Sequence, residues 1–505
     1  ATCPGSCSAA ELCMMGVICL SCLGSPATAA AQNRSDADEG IESAWLYGNM
    51  NRYAYYFADL LIGSPSPQRA SVIVDTGSRL VGFPCKGCQH CGEHIDPAFD
   101  LTRSRSARWL HCGTHCSKGC FQDHCTYRET YSEGSTISGL WFNDMVQLGD
   151  SFNDNPPVHA RLGCHTNENK LFYTQRANGI MGLAPSYLGS NGSRPTFLQD
   201  LFRDKEHVDS AIFSICLATW GGRLTVGGYD SSYHIHNQMD VKRHCSHSRP
   251  CRQDGTNWIR MRASHYYFVF PEGLTLDGQA VATGLSPFGV TIIDSGTTYT
   301  YFPGPVFRSL ATHLRRYCQR HDGCGADHEV PSAGASAGSE CWRLRKPEEG
   351  PLHFPMLKLW FENGMEIDWP PHGYLHKRGD PDVWCQTFME NNLEQTVLGI
   401  SWMLHKDIIF DLKHGMLGVA QARCPEHRKQ PLLEETSLIG KASWGGFGAR
   451  HNRHSIVFAV AAALFVTSGA AIVCWIGHIG RRRRPVSIFD AESTEADRVA
   501  LFENN

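Results

Sequence analysis

Short apolar stretches recur along most of the chain, and turn-forming Gly, Pro, Asn and Asp residues separate them. Alternation of apolar and polar positions over about four to eight residues indicates a β-strand, because successive side chains point to opposite faces. Helical periodicity is rare and is clearest over residues 196–203 and 305–318. The pattern predicts an all-β protein with minor helices between residues 45 and 425. The best-defined predicted strands are residues 53–62, 70–74, 137–148, 223–226 and 290–293.

Two longer apolar segments predict how the protein meets a membrane. Residues 12–23 form an apolar run that ends in small residues, as a signal peptide does. Residues 456–477 carry no charge, and at about 1.5 Å rise per residue a helix of this length crosses the roughly 30 Å hydrocarbon core. Four arginines at 481–484 then place the tail in the cytosol. The predicted segments are a signal peptide (1–31), a luminal stem (425–455), a single transmembrane helix of type I orientation (456–477) and a cytosolic tail (478–505).

Composition adds information on compartment and partners. The chain has 505 residues and a formal net charge of -4, which favours no nucleic-acid partner. Its 22 cysteines are too many for an ordinary reduced protein, so we predict an oxidising lumen and a disulfide framework. Sixteen of them lie between Cys85 and Cys424, and the sequence leaves their pairing open.

A cysteine-rich insert spans residues 85–125 and holds seven cysteines. A zinc knuckle is the alternative interpretation of this insert, but the spacing is irregular and an oxidising lumen favours disulfides. The 25 histidines are scattered, and none forms a pair with zinc-ligand spacing on a plausible helix, so most are expected on the solvated surface. We predict no metal and no cofactor.

Two matching motifs carry the chemistry. Each has a β-branched apolar run, then Asp, a small hydroxyl residue, Gly and a second hydroxyl residue. The strand fixes the carboxylate at its end, glycine permits a tight turn and close backbone approach, and the hydroxyls can orient the carboxylates. One such string is a weak signal, whereas two that are about 219 residues apart indicate a duplicated site. The motifs are Asp75, Thr76, Gly77 and Ser78 in the first copy, and Asp294, Ser295, Gly296, Thr297 and Thr298 in the second.

The predicted catalytic pair is Asp75 and Asp294. Two carboxylates held about 3 Å apart share one proton, and their apparent pKa values separate. The ionised member can activate a water while the protonated member polarises the scissile carbonyl, which gives peptide hydrolysis without a covalent intermediate. The alternative, two structural aspartates in turns, does not explain why the motif occurs twice.

These motifs resemble the pepsin family of aspartic proteases, and further matches follow in the family's order over residues 50–422. The segment 130–135 is similar to the flap hairpin, with Tyr131 as the flap tyrosine. The resemblance implies a bilobal pepsin-like fold, with an N-terminal β lobe at 45–225 and a C-terminal β lobe at 226–424. It also implies that Thr76 and Ser295 lock the two loops, that Ser78 and Thr297 bind the outer carboxylate oxygens, and that Gly134 and Thr298 line the flap and substrate site.

Two positions depart from the family pattern. Arg79 stands where the family usually has a small polar residue, and Gly82 stands where pepsins carry the tryptophan that braces the flap tyrosine. We therefore expect another residue to brace Tyr131, and Phe83 is the candidate.

Within the family, the cysteine-rich insert, the flap and the membrane segment resemble plasmepsin V and its apicomplexan relatives. That resemblance implies cleavage after Leu in Arg-x-Leu export motifs, in the endoplasmic reticulum or the Golgi. It also implies that Glu133 and Gln175 hold the substrate arginine, since a carboxylate pairs well with a guanidinium. The alternative for Glu133 is a solvated charge at a hairpin tip.

Two other functions remain open from the sequence. A membrane-bound sheddase similar to the β-secretases would share the luminal domain and the anchor, but it would not need the cysteine-rich insert. A catalytically silent, protease-shaped receptor would not need Asp75 and Asp294 together. The expected partners are protein or peptide substrates of the secretory lumen and the lipid bilayer.

Overall fold

The computed structural model describes residues 40–428 except 114–115, 117, 150–154, 186–195, 204–207, 209, 236–254, 330–338 and 379. Strands dominate this part of the chain and the helices are few, so the all-β prediction with minor helices is confirmed. The predicted signal peptide, transmembrane helix and cytosolic tail lie outside the described residues. Within the described residues, no helix is both long and apolar enough to cross a bilayer.

The first half of the described chain contributes twelve strands. They are β1 (Glu42–Asn49), β2 (Tyr55–Ile62), β3 (Gln68–Asp75), β4 (Val81–Pro84), β5 (Arg108–Trp109), β6 (Cys120–Phe121), β7 (His124–Thr130), β8 (Thr136–Leu148), β9 (Val158–Glu168), β10 (Gly179–Gly182), β11 (Ile212–Leu217) and β12 (Gly222–Val226).

The second half of the described chain contributes shorter strands. They are β13 (Asn257–Arg260), β14 (Arg262–Ala263), β15 (Tyr267–Val269), β16 (Pro271–Leu276), β17 (Gln279–Thr283), β18 (Val290–Ile293), β19 (Thr300–Pro303), β20 (Ala326–Glu329), β21 (Cys341–Leu344), β22 (Leu357–Phe361), β23 (Met365–Trp369), β24 (Leu375–Arg378), β25 (Asp380–Gln386), β26 (Phe388–Asn391), β27 (Gln395–Leu398), β28 (Lys406–Asp411) and β29 (Met416–Gln421). The helices are α1 (Lys170–Thr174), α2 (Phe197–Arg203), α3 (Gly304–Arg320), α4 (Pro371–Tyr374) and α5 (Ile400–Met403).

The same five-strand arrangement occurs once in each half. In the first half, β2 is antiparallel to β3, β3 is parallel to β10, β10 is antiparallel to β4, and β4 is parallel to β9. In the second half, β15, β18, β27, β19 and β26 pair in the same order and with the same directions. The repeat places β3 and β18 in equivalent positions and fits the pepsin-like fold that the sequence resemblance implies.

An antiparallel sheet joins the two halves. Its strand order is β13-β29-β28-β11-β12-β1, and it takes members from the beginning, the middle and the end of the described chain. Because β11 pairs with both β12 and β28, this sheet fixes the two five-strand units in one structure.

The strand before the first motif is buried on both faces. Val72 and Val74 pack into the main core, while Ile73 points the other way, into a second cluster with Tyr127 and Ile180. This explains why the strand is a continuous β-branched run and not an alternating one. Burial on both sides holds the end of β3, and therefore Asp75, in a fixed position.

The two predicted helices are present with small shifts in their ends. The first begins after Thr196, whose hydroxyl accepts from the Gln199 amide (3.4 Å) while the Gln199 side chain accepts from the Thr196 amide (3.1 Å). This reciprocal capping box satisfies two amides that a helix start leaves without partners. The second helix, α3, begins at Gly304, directly before Pro305, a residue type suited to the first helical turn.

Seven disulfides join described cysteines, which confirms the predicted disulfide framework. Three of them lie inside the cysteine-rich insert, and a fourth ties the start of the insert to β9. The sulfur atoms of this insert are therefore used in covalent bonds and do not form a zinc knuckle. The pairs are Cys85–Cys164, Cys88–Cys91, Cys112–Cys120, Cys116–Cys125, Cys216–Cys424, Cys318–Cys324 and Cys341–Cys385.

Candidate active site

Asp75 and Asp294 lie at the ends of the equivalent strands β3 and β18, and both are buried, at 5% and 1% exposure. The Gly77 amide donates to Asp75 Oδ1 (2.8 Å), and the Gly296 amide donates to Asp294 Oδ1 (2.9 Å). The glycines also bring the carboxylates together: a Cβ on Gly296 would lie 2.3 Å from Asp75 Oδ1, and a Cβ on Gly77 would lie 2.7 Å from Asp294 Oδ1. A side chain at either glycine would therefore force the pair apart.

Reciprocal hydrogen bonds join the two loops. The Ser295 hydroxyl accepts from the Thr76 amide (3.1 Å), and the Thr76 hydroxyl accepts from the Ser295 amide (2.9 Å). Each hydroxyl then donates to a carbonyl of the opposite strand, Thr76 to Ile293 (3.1 Å) and Ser295 to Val74 (2.8 Å). Each hydroxyl accepts one hydrogen bond from the opposite half and donates one to it. These bonds hold the two carboxylates at a fixed separation.

The second hydroxyls of the motifs differ in geometry. Thr297 Oγ1 donates to Asp294 Oδ2 at 2.5 Å. The buried Ser78 hydroxyl interacts with the Asp75 carboxyl closely enough to lower its pKa. It makes no hydrogen bond of standard geometry to any described residue. The site is therefore symmetric in sequence and asymmetric in hydrogen bonding.

Burial raises the pKa of Asp75 well above its usual range, and the negative charge of Asp294 raises it further. The interaction with the Ser78 hydroxyl and the hydrogen bond from the Gly77 amide oppose this shift only in part. The pair therefore holds one proton over a range of pH in which an isolated aspartate would be ionised, and it titrates as one unit. A singly protonated pair has both a base and an acid for hydrolysis.

The family model for eukaryotic aspartyl proteases matches residues 55–422, which contain both motifs and all strands of the repeat. The chain belongs to the eukaryotic aspartyl proteases. It is accordingly an aspartic endopeptidase, and the paired, proton-sharing carboxylates described above are the arrangement that this activity requires.

Several relatives of this aspartyl protease align over most of its chain. It is 32% identical over 419 residues to Aspartic protease 5 of Toxoplasma gondii, covering 76% of this chain and 38% of that protein. It is 28% identical over 448 residues to Plasmepsin V of Plasmodium falciparum (isolate 3D7), covering 76% and 73%. A plant relative, Protein ASPARTIC PROTEASE IN GUARD CELL 2 of Arabidopsis thaliana, is 22% identical over 396 residues, covering 73% and 72%. The chain thus spans well under half the length of Aspartic protease 5.

The predicted flap is a hairpin between β7 and β8. The Tyr131 amide donates to the Ser135 carbonyl and the Gly134 amide donates to the Tyr131 carbonyl, both at 2.8 Å, so Tyr131 lies at the base of the turn. Burial raises the pKa of Tyr131, and the next contribution comes from the charge of Asp75. The flap tyrosine therefore lies within electrostatic range of Asp75.

Phe83 does not brace the flap tyrosine in the way the sequence led us to expect. It packs in the core against Phe99 and Phe142, with ring centroids 5.6 and 6.2 Å away. The ring that packs on Tyr131 is Phe172 of α1, at 4.8 Å. Phe172 is distant in sequence from Gly82, so no local signal could have identified it.

Helix α1 is attached to the flap through polar contacts on both sides of Phe172. The Ser135 hydroxyl accepts from the Leu171 amide (3.2 Å), and the Asn169 side chain accepts from the Thr136 amide (2.6 Å). The short helix therefore supports the hairpin as a unit.

The other predicted binding residues have different environments. Glu133 is half-buried at the turn, where a substrate can reach it. Gln175 ends α1 and is fully buried, with its side-chain amide donating to the Ala177 carbonyl (3.4 Å). Thr298 is also fully buried, and its hydroxyl donates to the Ala54 carbonyl (2.6 Å), a contact between the halves. Glu133 thus lies partly exposed in the flap turn, whereas the side chains of Gln175 and Thr298 have internal partners.

Several histidines depart from the expected surface location, among them His165, His234 and His376. His165 and His94 are buried and bond opposite oxygens of Glu168, at 2.7 and 3.0 Å. Burial of Glu168 works against ionisation, but the hydrogen bonds from His165 and His94 still hold its pKa below the usual value. This network joins the cysteine-rich insert to β9. Among the described residues, no three His, Cys, Asp or Glu side chains are grouped to hold a metal ion.

Removing the Ser78 hydroxyl should move the pH dependence of activity. The Ser78 interaction lowers the pKa of Asp75, so Ser78→Ala raises it, and the shared proton is lost at a higher pH. If the Ser78–Asp75 interaction equals an ordinary hydrogen bond, about 0.5–1.5 kcal/mol, its loss shifts the basic limb upward by about half to one pH unit. The measurement is kcat/KM against pH, with Ser78→Thr as the control that keeps the hydroxyl. A shift to lower pH would contradict this account of the site.

Proposed function

We propose that this aspartyl protease is a membrane-anchored endopeptidase of the secretory pathway that cleaves proteins after Leu in Arg-x-Leu motifs. The observation that carries the proposal is the position of Glu133. It lies two residues after the flap tyrosine and is half-buried at the turn. An acidic residue beside the cleft offers a charge-assisted, bidentate partner to a substrate arginine. Similarity to Plasmepsin V over most of the chain supports the same assignment.

The chemistry follows from the carboxylate pair. The ionised carboxylate removes a proton from a water molecule, whose oxygen attacks the scissile carbonyl carbon. The protonated carboxyl donates to the carbonyl oxygen, and the tetrahedral intermediate collapses as a proton passes to the leaving amine. Buried, preorganised hydrogen bonds from Gly77, Gly296 and Thr297 keep the carboxylates in position throughout.

The compartment is part of the proposal. The seven disulfides of the described residues are compatible with an oxidising lumen and unusual for a reducing cytosol. Residence in the endoplasmic reticulum or Golgi, single-pass type I topology through residues 456–477 and protein substrates in the lumen are proposed on this basis and on the apolar segments of the sequence.

Loss of the Glu133 carboxylate should weaken selection for arginine. Glu133→Ala is expected to reduce the preference for Arg over Ala, at the third position before the cut, by about 10- to 100-fold, since a hydrogen bond to a charged group contributes about 1.5–3 kcal/mol. Glu133→Gln keeps the shape and one acceptor and should lie between the two. The ratio of kcat/KM for peptides that differ only in Arg or Ala measures the effect. An unchanged ratio in Glu133→Ala would remove this residue from arginine recognition.

The proposed specificity is tested with the full-length protein in detergent and a peptide that contains Arg-x-Leu-x-Glu. Mass spectrometry locates the cut, and the same peptide with Arg replaced by Ala is the paired control. Cleavage after Leu that requires the arginine supports the proposal. Cleavage that ignores the arginine keeps the endopeptidase but favours a general sheddase. Absence of cleavage by a correctly disulfide-bonded protein from acidic to neutral pH favours the silent receptor.

A further inference from the structure

Arg79 follows the first motif directly and reaches from one half of the molecule to the other. Its Nε donates to the Pro185 carbonyl, after β10, and its Nη2 donates to the His265 carbonyl, before β15, each at 2.7 Å. The same Nη2 lies 3.4 Å from the His265 ring nitrogen Nδ1. The residue remains exposed to solvent, so a bound chain can contact it.

The guanidinium and the catalytic pair both act electrostatically on one tyrosine, Tyr266. Tyr266, the residue after His265, has its pKa raised by burial, and it is influenced in turn by the charges of Arg79, Asp294 and Asp75. Tyr266 therefore lies within electrostatic range of both the carboxylates and Arg79. A peptide held over the carboxylates would pass within reach of this guanidinium.

The hydrogen bonds of Arg79 go to neutral backbone carbonyls. Its hydrogen-bond acceptors are two neutral carbonyls and an imidazole nitrogen, and no described carboxylate lies within ion-pair distance. Desolvation by its surroundings lowers the pKa of Arg79. The charges of Arg79 and Glu129 influence each other, but no ion pair joins these two described side chains. A partly desolvated charge without a counter-ion is costly, and a substrate anion would remove that cost.

We infer that Arg79, oriented by Pro185 and His265, forms an anionic subsite that takes an Asp or Glu side chain of the substrate beside Tyr266. The alternative is that Arg79 only joins the two halves through the carbonyl contacts. The two roles differ in one respect: a joining role is indifferent to the charge of the substrate, whereas a subsite discriminates by it. The inference rests on the endopeptidase activity and does not depend on the Arg-x-Leu preference.

The experiment uses peptides in which a single Glu is moved through three positions on either side of the cut, each matched to the same peptide with Gln. The measured quantity is the ratio of kcat/KM for Glu over Gln. The wild-type protein is expected to favour Glu about ten-fold at one position. Arg79→Gln should bring that ratio near one, and Arg79→Glu should favour a Lys-containing peptide there instead. A reversal of charge preference is a result that a joining role cannot produce.

Arg79→Lys keeps the charge but not the planar group with its two carbonyl contacts, and a retained Glu preference in this variant assigns the effect to charge. Fluorescence anisotropy with the labelled Glu and Gln peptides and the Asp294→Asn protein gives the same ratio without turnover. An Arg79→Gln ratio equal to that of the wild type at every position, by both measurements, overturns the inference. Loss of arginine dependence with the Glu ratio intact would instead count against the proposed Arg-x-Leu function alone.

Discussion

Replacing Asp294 with Asn is expected to reduce kcat by roughly ten-thousand-fold or more, because the change removes the ionisable group and leaves its shape. The Asn oxygen can still accept from the Gly296 amide, and the side-chain amide can donate to the Thr297 hydroxyl. What is lost is the second carboxylate, and with it the shared proton that supplies a base and an acid together. Steady-state kinetics on a cleavable peptide measure the effect, and thermal unfolding shows whether the fold is intact.

A matched control is Asp411→Asn, which makes the same change at the end of β28. Asp411 is also buried, but its carboxylate accepts from the His414 backbone amide (3.0 Å) and contacts the His414 ring (2.7 Å). This variant should keep activity within a few-fold of the wild type, since its contacts are structural. Activity in Asp294→Asn above about one hundredth of the wild-type value would exclude the two-carboxylate mechanism.

Removing the Cys216–Cys424 disulfide should cause the largest loss of stability among the disulfides. It closes a segment of 208 residues, which contains the whole second five-strand unit. In the chain-entropy description, closing a loop of this length raises the free energy of the unfolded chain by about 5 kcal/mol. Strain and residual structure reduce the measured value. The double variant Cys216→Ala/Cys424→Ala is therefore expected to unfold at a much lower urea concentration.

The matched control is Cys88→Ala/Cys91→Ala, because this disulfide has a sequence separation of only 3. The same chain-entropy description gives the Cys88–Cys91 disulfide a stabilising contribution of about 1.5 kcal/mol. Urea unfolding followed by tryptophan fluorescence compares the two variants with the wild type. Equal losses for the long and the short disulfide would show that loop entropy does not govern their contributions.

The strands and the catalytic loops could be predicted from the sequence because both signals are local. The run before Asp75 is buried on two faces and is continuously apolar, and the run before Asp294 repeats it. Each motif also contains the residue types that its turn requires, with the glycine where the facing carboxylate approaches. That the two loops meet could be predicted from the repeated motif, although no contact between them is visible in the sequence.

The interactions that could not be predicted from the sequence join segments that are far apart in the chain. Phe172 packs on Tyr131, and Arg79 donates to the His265 carbonyl across 186 positions. The side chain of Gln175 has the polarity of a binding residue, and only the folded chain shows that it is buried. Disulfide pairing belongs to the same class, since sixteen cysteines allow many connectivities and only the arrangement of strands selects among them.

The reciprocal contact between Thr76 and Ser295 has a consequence for the timing of biosynthesis. The two residues are separated by 219 positions, and at about 5–20 residues per second the ribosome needs roughly 10–45 s to make the second after the first. During that interval, the first loop has no partner hydroxyl and no second carboxylate. The nascent chain therefore lacks the paired carboxylates that hydrolysis requires until the second half has been made. Competence arises only when the second half docks, so a product that is truncated or stalled before Asp294 has no peptidase activity.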